Sequence, residues 1–395
     1  MKKNLRIGYI PLIDATPILV AADHGFAEAE GLSIELVREV SWSNVRDKLN
    51  LGLFDASHML APLPIASSLG IGHVKVPLIV PFTLALNGNA ITVSPALYHE
   101  LSAVADGDIA DPRVSARALH RAVADRRARG APMLNFGMTF PFSNHNYQLR
   151  FWMSAGGVDP DEDVRLVVLP PPYMVESLTS GHVDCFCVGA PWNSVAVDNG
   201  IGHILHFGTD IQRRMSEKVL AVRENWAGDN PETLSALIRA LAKAAAFAED
   251  PANLEPVCET IGARIGATAE VVSRTLKGVL KVSTDGATRS SDEYIVLARQ
   301  QANRPDTAHA AWMYADMVRW GQASLTDELH AVAESVFRPD LYDLALGHAP
   351  AGDVTDPPDR IGAFFGPDFV PSDIAGHLEA WRLRHNGKPR LTVVR

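Results

Sequence analysis

Four short segments of this chain place polar and aromatic side chains directly after apolar runs or at helix starts. They are Ser41-Trp42-Ser43-Asn44, Leu86-Asn87-Gly88-Asn89-Ala90, Asn144-His145-Asn146 and Glu217-Lys218-Val219. Among them are an ammonium (Lys218), a carboxamide (Asn89), an imidazole (His145) and an indole (Trp42), and each can donate a hydrogen bond. Signatures of covalent, phosphoryl or metal chemistry are missing. Gly70-Ile71-Gly72 is followed by His73-Val74-Lys75, so a dinucleotide fingerprint fails at its third glycine. There is no phosphate-loop motif and no metalloprotease helix motif, and no local Ser, His and Asp spacing marks a nucleophile. No catalytic residue, metal ligand set or cofactor is therefore expected. Taken singly, each donor has an ordinary explanation: Lys218 as a surface lysine, Trp42 as a core aromatic, His145 as a helix-start residue.

The balance of the chain sets limits on its partners. Its 395 residues carry a formal net charge of -10, with 47% hydrophobic and 21% charged residues. That is the composition of a soluble globular protein able to bury a large core without staples. The acidic excess argues against a primary nucleic-acid surface, and leaves room for a local cationic pocket for a small anion. Of the three cysteines, Cys185 and Cys187 lie two apart in an apolar run. On one face of a strand they stand about 6.5–7 Å apart, too far for a good disulfide, and buried reduced thiols are expected. The chain opens Met1-Lys2-Lys3-Asn4 and runs straight into Leu5–Ile10. It shows no secretory h-region or cleavage site, so the expectation is a cytoplasmic protein.

The elements that must position the donors can be read from periodicity. Leu5 to Ile10 and Ile34 to Val37 read as strands, Thr16-Pro17 as the start of a helix, and Ser43 or Asn44 as the cap of the next. Strand–helix alternation over the first 93 residues implies a mostly parallel sheet with helices on both faces. A second strand–helix unit follows. Leu134 to Met138 reads as a strand, Ser143 or Asn144 as a helix cap, and Val183 to Val188 as a strand that leads into Gly189-Ala190-Pro191-Trp192-Asn193. The arginine-rich stretch Arg121 to Arg129 reads as a solvated helix face. Beyond Phe207 the chain turns helical, with Pro231 to Glu249 strongly periodic and Asp292 to Trp320 reading as two helices. The expected architecture is an α/β chain in two lobes. Residues 1–93 and 208–395 form a discontinuous first lobe and residues 94–207 the second, with a ligand crevice beyond the strand ends.

At this point a resemblance becomes specific. Gly8-Tyr9-Ile10-Pro11-Leu12 with Asp14, Ser41-Trp42, Arg46-Asp47-Lys48 and Asp55-Ala56-Ser57-His58-Met59-Leu60-Ala61-Pro62 run in order through the first part of the chain. Leu86-Asn87-Gly88-Asn89, Thr139-Phe140-Pro141, Cys187-Val188-Gly189-Ala190-Pro191-Trp192-Asn193, Glu217-Lys218 and Phe337-Arg338-Pro339-Asp340-Leu341-Tyr342 follow. Together they resemble the nitrate- and bicarbonate-binding proteins of ABC transporters, above all the soluble nitrate/nitrite sensor branch of that family, the NasS type. The resemblance implies a two-lobed, periplasmic-binding-protein-like (type II) fold. It also implies ligand contacts from Trp42, Asn89, His145 and Lys218. Two departures stand out: Ala190 replaces a common glutamate, and Asn89 replaces a longer glutamine. Trp192, Asn193 and Asp14 are expected to be structural or to support the site from behind.

Nitrate is a flat monoanion with three acceptor oxygens and no donor, so its site is expected to offer only donors. Lys218, Asn89, His145 and the Trp42 indole meet that requirement, and the helix starts near Ser43 and His145 add oriented backbone dipoles. Bicarbonate carries a hydroxyl that needs an acceptor, and by resemblance its binders use a metal beside the anion. Nitrate or nitrite is therefore the expected ligand. The sensor branch implies a cytoplasmic protein that holds an RNA-binding antiterminator partner of the NasT type and releases it on binding ligand. The alternatives are a substrate-binding component of a nitrate transporter and, on a related fold, a thiamine-pyrimidine synthase. The last would need a histidine-rich iron site, and His58, His145 and His182 form no cluster in sequence.

Overall fold

The computed structural model describes residues 2–348 and 361–380, and the backbone of 384–385 and 388–389. Residues 1–2 apart, the chain opens with strand β1 (Lys3–Tyr9), whose Leu5, Ile7 and Tyr9 are buried while Lys3, Asn4 and Arg6 face out. Strands β2 (Leu32–Arg38), β3 (Ala56–Leu60) and β4 (Leu78–Asn87) follow, and the chain then changes sheets. In the second sheet are β5 (Asn89–Val93), β6 (Asn135–Met138), β7 (Arg165–Val168), β8 (Cys185–Gly189) and β9 (His203–Phe207). The chain returns through β10 (Ser216–Arg223), a small hairpin β11 (Val279–Lys281) and β12 (Thr288–Ser290), and a short edge strand β13 (Ile295–Val296). The first sheet has the order β13-β4-β10-β3-β1-β2 and the second β7-β6-β8-β5-β9.

Both sheets are mixed, where the alternation of elements had implied mostly parallel ones. In the first, β1 runs parallel to β2 and β3, but β10 pairs antiparallel with β3 and β4. In the second, β6 runs parallel to β7 and β8, but β5 pairs antiparallel with β8 and β9. The strands by which the chain enters each lobe from the other, β10 and β5, are both reversed, as is the short edge strand β13 beside β4. The parallel strands end at the edge facing the opposite lobe. A strand that starts at that edge must run the other way. The sheet change falls at Gly88, so β5 belongs to the second sheet although residues up to 93 were assigned to the first lobe. Part of the 208–395 range, 349–360 and most of 381–395, lies outside the described residues.

The two crossings are bonded to each other. Asn87 and Gly88 take positive φ values of 60° and 94°, which lets the chain turn sharply out of β4. The Asn87 N–H donates to the Met215 carbonyl at 3.0 Å, and the Met215 N–H donates to Asn87 Oδ1 at 3.0 Å. Around this pair of strands the core is continuous: one apolar cluster includes Trp42, Leu60 and Val219 on the first-sheet side and Leu149, Trp152 and Cys187 on the second.

The helix Pro231–Glu249 forms with the bounds its periodicity gives, burying Leu234, Leu237, Ile238 and Leu241. Of the two helices expected over 292–320, one forms, Thr307–Arg319. The run before it instead supplies β13 on the edge of β4. It then turns where the Glu249 carboxylate accepts the N–H groups of Leu297, Ala298 and Arg299. Cys185 and Cys187 are free and buried.

The second lobe's main helix, Asn144–Ala155, ends where it meets the helix Pro112–Ala128. A methyl group on Gly156 would stand 2.0 Å from the Ala116 carbonyl oxygen, a backbone atom held by its own helix. Gly156→Ala is expected to destabilise the fold by about 1–3 kcal/mol, the range for overpacking a filled interior. Urea denaturation would measure it, and an unchanged midpoint would contradict this close approach.

Candidate functional site

The strand edges that face each other gather one buried polar cluster. From the first sheet come Asp14, on the turn after β1, His58 of β3, and Glu217 and Lys218 at the start of β10. From the second come Asn89 at the start of β5, Gly189 at the end of β8, Thr139 just after β6, and Asn144, His145 and Gln148 on the helix that follows. Trp42 enters from the first turn of the helix Trp42–Asn50, which Ser41 caps by accepting the Asn44 N–H at 3.3 Å. The cap lies earlier than the expected Ser43 or Asn44. Ser143 caps the helix Asn144–Ala155 by accepting the Asn146 N–H at 3.1 Å, one of the two caps expected there.

Lys218 is the hub, and it is fully buried. Its Nζ lies 3.0 Å from Asp14 Oδ2 and 2.9 Å from Glu217 Oε1. Glu217 and Lys218 are adjacent in a strand, where side chains ordinarily point to opposite faces. The β10–β4 register slips on both sides of Lys218. Such an irregularity re-aims side chains, and here both turn into the cleft. The ammonium also sits 5.6 Å from the centre of the Trp42 ring, within the range of a cation–π contact.

The neighbours are held just as closely. His58 Nδ1 accepts the Ile10 N–H at 3.3 Å, which places its proton on Nε2, 2.9 Å from Asp14 Oδ1. The His58 ring packs edge-on to Trp42 at 5.3 Å. From the other lobe, Asn144 Nδ2 donates to Glu217 Oε2 at 2.9 Å and to the Ser216 carbonyl at 2.9 Å. His145 Nδ1 lies 3.1 Å from Thr139 Oγ1 and 3.5 Å from Glu217 Oε1. Asn89 Nδ2 donates to Gln148 Oε1 at 3.3 Å, and the Cys187 thiol points at the same oxygen.

Trp42, Asn89, His145 and Lys218, separated by up to 176 positions in the chain, thus meet in one enclosed place where none is more than 1% exposed. Three of their polar atoms, Trp42 Nε1, Asn89 Oδ1 and His145 Nε2, have no hydrogen-bond partner within the protein, and neither has Asn144 Oδ1. Buried polar atoms are nearly always satisfied, so four unpartnered ones gathered beside a buried ammonium make this cluster the candidate site for a small polar ligand. His182, by contrast, is on the surface, bonded to Ser180.

The structure corrects the expectation of a lining made only of donors. Two carboxylates stand inside it, for a plain reason: an ammonium taken wholly out of water is too costly unless paired. Burial resists ionisation of Asp14, but Lys218 and His58 outweigh it and hold its carboxyl below the usual range. Burial also works against the Lys218 charge, and Asp14 and Glu217 together hold the ammonium above its ordinary value. Glu217 is pushed up, by burial first and by Asp14, with Lys218 and Asn144 only partly offsetting them. Burial and Lys218 push His145 well down, so this imidazole is neutral and has a single N–H to give. Asn89 gives its amide N–H to Gln148 and turns its oxygen inward.

From the sequence Asp14 was expected only to support the site from behind and Glu217 was noted only as the neighbour of Lys218; Gln148 was not singled out. Gln148 had a usable signal, since it follows His145 by three positions on one helix face. Glu217 was hidden by the alternation of a regular strand, which the bulge breaks.

Removing the hub leaves two buried carboxylates facing each other. Lys218→Ala is expected to lower stability at neutral pH by about 3–5 kcal/mol. Without the ammonium both native-state pKa values rise, so the native state holds more protons than the unfolded chain and the deficit shrinks as the pH is lowered. Denaturant melts at neutral and acidic pH would measure this, and a deficit independent of pH would contradict the pairing.

Three comparisons place this architecture. The model of the NMT1-like family matches residues 1–262. Among curated proteins, the nitrate/nitrite binding protein NrtA of Synechococcus elongatus is 30% identical over 350 residues, covering 86% of this chain and 76% of that protein. The nitrate import ATP-binding protein NrtC of Synechocystis is 30% identical over 393 residues, covering 98% of this chain and 56% of NrtC. The bicarbonate transport ATP-binding protein CmpC of Synechococcus elongatus is 34% identical over 346 residues, covering 87% of this chain and 49% of CmpC. The chain thus spans about half the length of these ATP-binding relatives. Among solved structures, the periplasmic nitrate-binding protein NrtA from Synechocystis superposes with a TM-score of 0.84 at 25% identity, covering 96% of this chain and 98% of that one. The fold is that of periplasmic substrate-binding proteins, and the chain belongs to the NMT1-like family, alongside the nitrate- and bicarbonate-binding proteins of ABC transporters.

Proposed function

We propose that this chain is a binding protein for nitrate or nitrite, received in the enclosed cleft around Lys218. The observation that carries the reading is the buried Lys218 ammonium surrounded by unpartnered polar atoms of Trp42, Asn89 and His145. Lys218 spends two of its three N–H groups on Asp14 and Glu217 and has a third to offer. The neutral His145 offers Nε2–H when Thr139 donates to Nδ1, and the Trp42 indole N–H closes a third side. Charge-assisted hydrogen bonds of about 1.5–3 kcal/mol each, less the cost of association, support binding near the micromolar range, about -8 kcal/mol.

The reading best supported by the relatives is a substrate-binding component that delivers its anion to an ABC transporter. The sensor reading, a cytoplasmic protein releasing an RNA-binding antiterminator, rests on the motif resemblance alone. Both use the same physics: ligand closes two lobes, and a partner prefers one of the two states. They separate on the partner. Ligand-dependent co-elution with a NasT-type protein favours the sensor, and ligand-dependent binding to a nitrate permease favours the transporter.

Titration calorimetry with nitrate, nitrite and bicarbonate tests the shared claim. Heat with nitrate or nitrite at about micromolar affinity is expected, with bicarbonate weaker. No heat with either nitrogen oxyanion overturns the reading. Gly189 supplies a second test of the place. A methyl group there would stand 3.1 Å from Asp14 Oδ2, 3.6 Å from Asn89 Oδ1 and 3.6 Å from Lys218 Nζ, in the space the anion needs. Gly189→Ala is expected to weaken nitrate binding by about tenfold or more, equivalent to about 1.4 kcal/mol, with a small change in melting temperature. Undiminished affinity would move the ligand elsewhere.

A further inference from the structure

Resting on the anion-binding reading, we propose that Glu217 takes up one proton from solution each time the cleft takes up nitrate, so that the site binds the anion and a proton together. The reason is a count of charges in an enclosed place. Asp14 and Glu217 contribute two negative charges and Lys218 one positive, with all three side chains buried. The site's own balance is therefore one negative charge, and a monoanion would make it two, in surroundings where charge is poorly screened. Nitrate carries no proton at any ordinary pH, so the compensation must come from the protein.

Glu217 is the group placed to provide it. Facing it are Lys218 on its own strand, Asp14 from the turn after β1, Asn144 and His145 from the opposite lobe's helix, and the Cys187 thiol of β8, with His58 behind Asp14. Asp14 is held ionised between Lys218 and His58, and His58 already gives its one N–H to Asp14. His145 lies against the ammonium, which disfavours a second positive charge. Glu217 and Asp14 share one cation, Lys218; burial and the nearby Asp14 push the Glu217 carboxyl up while that of Asp14 is held down, so the ionised form of Glu217 is the least supported of the set. Protonation has a second effect. An O–H bond forms on Glu217, its ion pair with Lys218 loosens, and the ammonium can turn an N–H toward the anion while still held by Asp14. The proton comes from water or buffer, and nothing is oxidised or reduced.

The experiment is nitrate titration of the full chain in phosphate and in Tris at one pH, repeated between about pH 6 and 9. Linked uptake of one proton makes the heat depend on the buffer and lowers affinity by up to about tenfold per pH unit between the pKa values of free and bound protein. Glu217→Gln, neutral and of the same shape, is expected to bind nitrate with flat affinity and buffer-independent heat. The proposal is overturned by wild-type affinity that stays constant over the range with no buffer dependence, or by a Glu217→Gln protein that still takes up the proton. The wild-type measurement decides even where the variant does not fold. Absence of nitrate heat at every pH is a different failure, that of the anion-binding reading itself.

Discussion

Everything in the cleft is arranged around one ammonium taken entirely out of water. A buried lysine cannot be left alone: the loss of its hydration is recovered only by close opposite charges. Here the recovery comes from Asp14 and Glu217, at 3.0 and 2.9 Å. Each carboxylate then needs donors of its own. Asp14 finds them in His58 as well as Lys218, and Glu217 in Asn144 as well as Lys218. Because Asn144 belongs to the second lobe and Glu217 to the first, meeting the lysine's demand also ties the lobes together. The polar cluster and the lobe contact are one network.

The topology explains why that network forms at this place. A parallel strand of an α/β unit ends at the cleft edge, and residues just past its end lie in the cleft. Asp14 after β1, Thr139 after β6 and Gly189 at the end of β8 arrive that way. A strand entering from the other lobe starts at the same edge and must run antiparallel, as β5 and β10 do. Asn89 and the Glu217–Lys218 pair therefore lie at or next to the starts of reversed strands. The two crossings, bonded between Asn87 and Met215, sit directly beneath the residues they deliver.

The sequence made some of this legible and hid the rest, for identifiable reasons. Helix Pro231–Glu249 is long and strongly amphipathic, and its bounds follow from period alone. The two-lobed class follows from two strand–helix units separated by a return. The reversed strands were not legible, because antiparallel direction is set by where a strand begins in space and leaves no mark on a fully buried run such as β5, Asn89–Val93. The stretch after Asp292 has apolar residues that suit either an edge strand or a helix face, and β13 forms there where helix was expected. The Glu249 carboxylate, which accepts three of its N–H groups, lies far back in the chain. Trp42, Asn89, His145 and Lys218 came from the resemblance, with residue type explaining why they suit an anion. That Asp14 and Glu217 stand inside the lining does not follow from which groups favour an anion. Carboxylates enter on a different ground, the needs of the lysine.

That distinction bears on which oxyanion the proposed site selects. A relative carrying the bicarbonate name is as similar to this chain as those carrying the nitrate name, so identity of sequence does not choose. Carboxylates in the lining would at first favour bicarbonate, whose hydroxyl needs an acceptor. Yet Lys218 and His58 occupy Asp14, and Lys218 and Asn144 occupy Glu217. A hydroxyl arriving there competes with existing donors for the same lone pairs. The atoms left over are two nitrogens, Trp42 Nε1, an obligate donor, and His145 Nε2, which donates when Thr139 gives its proton to Nδ1, and two amide oxygens, Asn89 Oδ1 and Asn144 Oδ1. Among the described residues no group of three or more His, Cys, Asp and Glu is arranged to hold a metal, and Lys218 already fills the space between the carboxylates where a cation would sit. In the proposed site the nitrogens of Trp42 and His145 and the third N–H of Lys218 suit a ligand that only accepts hydrogen bonds, as nitrate and nitrite do, once the Asn89 amide has turned its oxygen away.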